Sequence, residues 1–474
     1  MIPKNHISLP VILMMVLALL LAPFAPFQSD ARALSIDEEQ ALGKKFLAEI
    51  QKREVILDDD FANRYINSLG QYLLQSVKTK PFPFYFHIIK DSTINAFSAP
   101  GGQIFFYSGL IELMDNCDML AGVMAHEIGH STARHLSESI EQNKKIGLAT
   151  LAGILAGAFL GGGAAASALI TGSMAAGIQA QLHYSREDER QADQLGFKYA
   201  TAAGFVPSAL TAALKKISQG DWMDASKTPP YLLTHPTDSE RMANLDSMAT
   251  KYKPVPPSDQ VRRFRALFPL FKTVVTATCL DSYEAERLFQ EALKRHPDSF
   301  TPHLGLGIVY MDRSEYSSAE LHLKKALQER PGSVLILKTM GRLYQLEGKA
   351  GEAVTVLKKA LEINGEDSDT LFALALSYED LEKYTQAIEI LRRLASFRPT
   401  RKEVYYHLGI SYGRLNRLAL AHFNFGRYFM ASGEQQKAEF HFRKAKELAQ
   451  GDPALLRQIA EFMKKSPGRG SKAR

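Results

Sequence analysis

Cysteine is almost missing from this chain of 474 residues: only Cys117 and Cys279 occur. They carry no metal-ligand spacing and fall in what read as different domains, so they are expected to be two unrelated buried thiols rather than a disulfide pair. Charge of one sign is also scarce. The 57 Lys and Arg stand against 51 Asp and Glu, a net charge of +6, and the excess is diffuse. Without a basic-aromatic pattern, nucleic acid is not an expected partner; acidic proteins or an anionic membrane surface remain open. Hydrophobic content of 46% and charged content of 23% are those of an ordinary globular chain.

Apolar runs long enough to cross a bilayer are lacking beyond the N-terminus. After Lys145 about forty residues pass without a charged side chain before Arg186. Residues 146–180 are rich in Gly and Ala, and Gly161-Gly162-Gly163 breaks any helix there. Each half is then about fifteen residues, short of the roughly twenty a span needs. A hairpin of two packed helices is expected, either a lid or an element that touches a membrane surface. Residues 1–33 read as a secretory leader. Lys4 and His6 form a short polar start, Ile7 to Ala22 is apolar, and Ala31-Arg32-Ala33 offers a small-x-small cleavage site. No Cys lies there, which excludes a lipoprotein anchor; an uncleaved membrane anchor is the alternative. The expected destination is the periplasm, if the source has two membranes.

What is present centres on His126-Glu127-Ile128-Gly129-His130, an H-E-x-x-H sequence inside an apolar helical run from about Leu113 to Leu136. Four residues apart, the two imidazoles leave one helix face a turn apart and can form two corners of a zinc tetrahedron. Glu127 points to the side, within reach of a water held by the metal, where it can take a proton as the water attacks a peptide carbonyl.

Upstream, Ser35 and Glu38 form a capping box for a helix to Gln51, and Asp58 to Val77 gives a second helix. Phe84 to Ile89 reads as a strand. Two strand-like pieces then flank Pro100-Gly101-Gly102. The first, Asn95-Ala96-Phe97-Ser98-Ala99, is either an edge on which substrate adds as an extra strand or half of an ordinary hairpin beneath the helix. Downstream, Ser185 and Asp188 cap a helix that carries Glu189 and Asp193 on one face. Glu189 would complete a His-His-Glu site with one open position, as in catalytic zinc centres. Asp193 could fix a ligand imidazole through its outer N–H. The alternative is a solvated acidic first turn favoured by the helix dipole.

These motifs, H-E-x-x-H, S-R-x-x-E-x-x-A-D from Ser185 to Asp193, and N-A-F-S-A-P-G-G from Asn95 to Gly102, resemble the bacterial β-barrel assembly-enhancing metalloproteases. Their relatives are the heat-shock membrane protease and the CaaX prenyl endopeptidase. The resemblance covers about Leu34 to Arg241 and continues into the C-terminal half. It implies His126, His130 and Glu189 as zinc ligands, one zinc per chain, Glu127 as catalytic base, and Asn95 to Ala99 as the substrate-binding edge. Asp193 matches a position read either as a support for a ligand or as a proton donor. It also implies that His235, in Thr234-His235-Pro236, closes the site as a fourth ligand or stabilises the oxyanion. Chemically, His235 and Arg241 near the open position could each donate a hydrogen bond to the developing charge; the alternative is a plain turn after Pro229-Pro230. Gln191 stands where the family commonly has Glu, at a position that is not a ligand.

The second half repeats every 34 residues. Tyr310, Tyr344, Tyr378 and Tyr412 keep that interval, as do Ala285, Ala319, Ala353, Ala387 and Ala421. Phe289, Leu323, Leu357, Leu391 and Phe425 follow the same register. This looks like tetratricopeptide repeats: a leading half-repeat near Tyr283 to His296, four helix pairs, and a degenerate pair to about Lys465.

The expected architecture is therefore mainly α: an α+β, gluzincin-type protease domain with a small sheet, then an α-solenoid. The expected divisions are 1–33 leader, 34–265 protease, 266–465 repeats and 466–474 basic disordered tail, with Val255 to about Leu280 as linker. The expected function is a zinc endopeptidase of the cell envelope. It would degrade misassembled outer-membrane proteins, with the repeats meeting those clients or the assembly machinery. The competing reading is a periplasmic chaperone or assembly factor with latent or minor proteolysis.

Overall fold

The structure, a computed structural model, describes residues 34–53, 55–140, 148–159, 184–219, 228–253, 255–397 and 400–465. The expected leader, most of the Gly/Ala-rich segment and the basic tail lie outside these residues.

Helix α1 (Ile36–Gln51) starts from the Ser35–Glu38 capping box, and α2 (Asp60–Leu73) is capped by Asp59. The sheet follows, with β1 (Tyr85–Ile89), β2 (Ala96–Ala99) and β3 (Gln103–Tyr107) in the order β1-β3-β2. Strand β1 runs parallel to β3 and β2 antiparallel to it. The tight β2–β3 connection turns through Gly101 and Gly102, at φ 70° and 76°, values a side chain would resist. Next come α3 (Ser108–Leu113), α4 (Cys117–Ala133) and α5 (His135–Ile140). Helix α6 (Leu148–Phe159) lies in the Gly/Ala-rich segment, and its Leu151, Ala152, Leu155 and Ala156 bury against Leu42, Phe46 and Ile50 of α1. Among the described residues no helix is long and apolar enough to cross a membrane.

Helix α7 (Arg186–Ala202) crosses α4, followed by α8 (Ala209–Ser218), the short α9 (Pro230–Thr234) and α10 (Ser239–Lys251). The stretch expected to be a linker is instead mostly α11 (Asp259–Cys279), despite Pro269 inside it. Its Phe264, Phe268, Phe271, Val274 and Val275 share one core with α2, the sheet and α4. Proline costs about 3 kcal/mol in a helix interior, but each buried aromatic or branched side chain returns about 1.5–3 kcal/mol, so the helix persists. Cys117 and Cys279 are free thiols.

From Ser282 the chain is a run of antiparallel helices: α12 (Ser282–Arg295), α13 (Phe300–Asp312), α14 (Tyr316–Glu329), α15 (Val334–Leu346) and α16 (Ala350–Ile363). It continues through α17 (Ser368–Asp380), α18 (Tyr384–Leu394), α19 (Lys402–Arg414), α20 (Leu418–Ala431), α21 (Gln435–Leu448) and α22 (Pro453–Lys465). The 34-residue register is a packing code. A Cβ on Gly307 or Gly341 would overlap Leu323 or Leu357, the large residue of the paired helix. Tyr310 donates to Glu286 at 2.8 Å, and one repeat later Tyr344 donates to Glu320 at 2.9 Å.

Candidate metal centre and active site

Helix α4 exists because Asn116 caps it and an almost continuous apolar sequence buries it on every side. His126, Glu127 and His130 are therefore held in the interior, at 0%, 0% and 1% exposure. Helix α7 brings Glu189 and Asp193 against them, and the segment after α9 supplies His235, itself fully buried.

Four donor atoms converge. His126 Nε2 is 3.0 Å from His130 Nε2, 3.4 Å from His235 Nδ1 and 3.6 Å from Glu189 Oε2. Glu189 Oε1 is 3.2 Å from His130 Nε2 and 2.8 Å from His235 Nδ1. A zinc tetrahedron with ligand atoms about 2.1 Å from its centre has edges of roughly 3.4 Å. The observed separations surround that length. Glu127 adds a second sign of fit: both carboxylate oxygens are buried with no hydrogen-bond partner among the described residues. Three imidazoles and a carboxylate suit zinc.

The electrostatics follow from burial. Desolvation holds the Glu127 carboxyl above its ordinary range, against the partial opposition of His235 and His126. Burial alone would also raise Glu189, but His235, His130 and His126 reverse it and keep this group well below the usual carboxylate range. Two neighbouring carboxylates are thus pushed apart, one toward accepting a proton and one toward permanent charge.

Asp193 and Arg241 stand behind the cluster. Asp193 Oδ1 is 3.0 Å from His126 Nδ1, so that ring turns its Nε2 inward. Arg241 donates twice to Asp193, at 2.8 and 2.9 Å, reaches Glu189 Oε2 at 2.5 Å, and donates to the Pro236 carbonyl at 3.0 Å. It ties the His235 segment to both acids of α7. A cavity of about 400 Å³ opens beside Glu189, Asp193, Arg241 and Tyr184.

Of the expected edge, Ala96 to Ala99 form β2, at one side of the sheet, and Asn95 precedes it, its carbonyl accepting from Tyr107 N–H at 3.0 Å. Asn95 to Ala99 are all buried, Phe97 against Phe46 and Phe105. Ser98 Oγ lies 3.4 Å from the Tyr184 hydroxyl, and the Tyr184 ring stacks on His130 at 3.8 Å.

Sequence reasoning missed Tyr184, Tyr231 and His135. Tyr231 stacks on His235 at 4.6 Å, and its place one turn before His235 was the available signal. His135 lies five residues after His130, with its Nδ1 2.9 Å from His130 Nδ1.

Residues 61–249 match Peptidase family M48, residues 281–334 match Tetratricopeptide repeat, and residues 312–394 match Anaphase-promoting complex, cyclosome, subunit 3. The Beta-barrel assembly-enhancing protease of Escherichia coli (strain K12) is 32% identical over 230 residues, covering 48% of this chain and 47% of that protein. The protein of the same name from Yersinia pestis gives the same identity and coverage. The chain thus spans about half the length of these curated relatives. The solved structure "Crystal structure of MamA" aligns with 33% of this chain and 92% of its own, at 24% identity and a TM-score of 0.31.

Proposed function

We propose, from the match of residues 61–249 to Peptidase family M48, that the chain is a zinc-dependent endopeptidase of the cell envelope. Its task is quality control and assembly of outer-membrane proteins, by degrading misassembled clients after export to the periplasm through residues 1–33. The observation that carries the reading is the buried His126-His130-Glu189-His235 cluster, with the Glu127 carboxylate beside it accepting no hydrogen bond among the described residues.

Residues His126, His130 and Glu189 would hold one zinc, which supplies Lewis-acid polarisation of the scissile carbonyl and of the attacking water. Glu127 takes the water's proton and delivers it to the leaving amine. Arg241 and Asp193 keep the ligands in place. The substrate backbone would pair along β2 from Asn95 to Ala99. The division expected at 265/266 falls inside α11, whose Phe268, Phe271, Val274 and Val275 pack in the catalytic core, so we place the start of the repeats after Cys279. The repeats would receive unfolded clients or the assembly machinery.

One observation favours the second reading, an assembly factor whose proteolysis is latent. His235 Nδ1 stands as a fourth donor, 2.8 Å from Glu189 Oε1 and 3.4 Å from His126 Nε2, and as a ligand it would compete with water. The test is zinc content and casein cleavage for wild type and Glu127→Gln. Wild type is expected to hold about one zinc per chain and to cleave. The variant should retain the metal and lose about 10²–10⁴-fold in rate. A variant that cleaves like wild type would remove Glu127 from the mechanism.

A further inference from the structure

An imidazole can offer Nε2 as a ligand only if its proton sits on Nδ1 and finds an acceptor there. For His126 the group that faces Nδ1 is the Asp193 carboxylate, at 3.0 Å. For His130, among the described residues, the group at Nδ1 is another imidazole. His135 Nδ1 lies 2.9 Å away, and on the far side of the same ring His135 Nε2 lies 2.8 Å from Gln191 Oε1.

This contact is not available to a straight helix. At about 100° per residue, positions five apart point roughly 140° away from each other. The chain brings them together by breaking the helix between them. Arg134 caps α4 in the left-handed region, at φ 63° and ψ 30°, with no glycine to relieve the cost. The turn is held from outside: Arg134 donates to the buried Glu39 of α1 at 2.8 Å, and also to the Leu34 carbonyl. His135, 2% exposed, is thereby swung back onto His130.

His135 Nε2 also lies 3.7 Å from Asp188 Oδ1, and these contacts suit an arrangement that leaves His130 Nε2 free. His130 Nδ1–H donates to His135 Nδ1, His135 carries its own proton on Nε2, and that N–H donates to the Gln191 amide oxygen. An amide oxygen accepts but cannot surrender a proton, so the order along the row is fixed. Gln191 sits two residues from Glu189 on α7, and the same helix therefore supplies one ligand and orients another.

We propose that His135 and Gln191 are positioning residues. His135 locks His130 in the tautomer that presents Nε2 to the metal, and Gln191 locks His135 in turn. This rests on the zinc reading of the site.

The test is zinc affinity of the full chain by chelator competition, with melting of the zinc-free protein as control. His135→Leu removes the acceptor and should bind zinc about 10–100-fold more weakly. His135→Asn places an oxygen near the Nδ1 position and should recover most of that loss. Zinc-free melting should be alike in all three. Unchanged affinity in His135→Leu, or no recovery in His135→Asn, overturns the proposal. If His135→Leu melts early without zinc, Gln191→Leu at the exposed end of the row decides: several-fold weaker binding supports the proposal, and unchanged binding overturns it. Wild type failing to bind zinc would sink the zinc reading and this proposal together. Tight binding by wild type and His135→Leu alike would sink only the proposal.

Discussion

His235 presents Nδ1 to the cluster while its Nε2 lies 3.6 Å from Glu127 Oε1, so one ring touches both the fourth ligand position and the base. Glu189 and Glu127 pull its proton affinity above that of an ordinary imidazole, although burial alone would lower it. In this arrangement a water must displace His235 before Glu127 can act on it. Replacing His235 with Ala should therefore raise casein cleavage several-fold at saturating zinc, with somewhat weaker zinc retention. Cleavage that falls instead would make the ring a donor to the transition state rather than a stopper. Asp193 and Arg241 differ in kind from these two. Each touches ligands: Asp193 faces His126, and Arg241 contacts Glu189 and donates to the Pro236 carbonyl.

At the scale of elements, the site depends on how closely α4 and α7 cross. A Cβ on Gly196 would lie 2.8 Å from the backbone nitrogen of His126, and one on Gly129 2.8 Å from the carbonyl oxygen of Ala192. Alanine is favoured over glycine in a helix by about 1 kcal/mol. Backbone cannot rotate away as a side chain can, however, and overpacking costs about 1–3 kcal/mol. Gly196→Ala should thus lower the denaturation midpoint and, by prising Glu189 from the histidines, weaken zinc binding. A variant with higher stability and full zinc affinity would show that the crossing has slack. The repeats carry an independent prediction. His303 and His322, on α13 and α14, meet Nδ1 to Nδ1 at 2.9 Å, and burial, with His303 and Lys325 beside it, pushes His322 down to about 4. The unfolded chain, with an ordinary histidine near 6.5, then binds more protons between pH 6.5 and 4, so stability falls on acidification through that window. His322→Gln should flatten that slope in melting temperature; an unchanged slope would place the sensitivity elsewhere.

Such elements differ in how legible they are. H-E-x-x-H and the acidic pair on α7 can be read because helical spacing alone puts their side chains on one face. The repeats can be read because one packing solution recurs at 34 residues, as Tyr310 and Tyr344 do with Glu286 and Glu320. Arg134 could not be read. A left-handed residue without glycine is stabilised by Glu39, 95 positions away. The stretch from Val255-Pro256-Pro257 likewise read as a linker, where burial of Phe264, Phe268 and Phe271 makes α11 part of the core.

At the scale of the molecule, two joints connect protease and repeats among the described residues. The first joint is apolar: Leu270 of α11 packs against the cluster around Leu304, while Ile308 and Leu335 of the repeats reach the catalytic core. The second is ionic and converges on Asp369 of α17, only 7% exposed. Arg64 of α2 pairs with it from the protease side, and Lys338 at 3.5 Å and Arg401 at 3.3 Å from the repeats. Arg401 also reaches Asp60 of α2 at 3.0 Å. Burial would raise the Asp369 carboxyl, but Lys338 and Arg64 outweigh it and hold the group below its ordinary value. Removing the carboxylate leaves three cations facing Asp60 and Asp367 alone. A fully buried pair would lose about 3–5 kcal/mol on such a change. Arg64 is 47% and Arg401 35% exposed at the side chain, so water screens much of that and about 1–2 kcal/mol is the expected cost. The loss falls on the joint rather than on either core. Asp369→Ala should therefore split the calorimetric unfolding into two transitions or widen an existing gap, and should speed proteolytic cutting between the halves, with zinc content unchanged. If the two halves still unfold as tightly coupled as in wild type, the apolar joint through α11 is sufficient, and the ionic one serves only to orient the repeats over the protease.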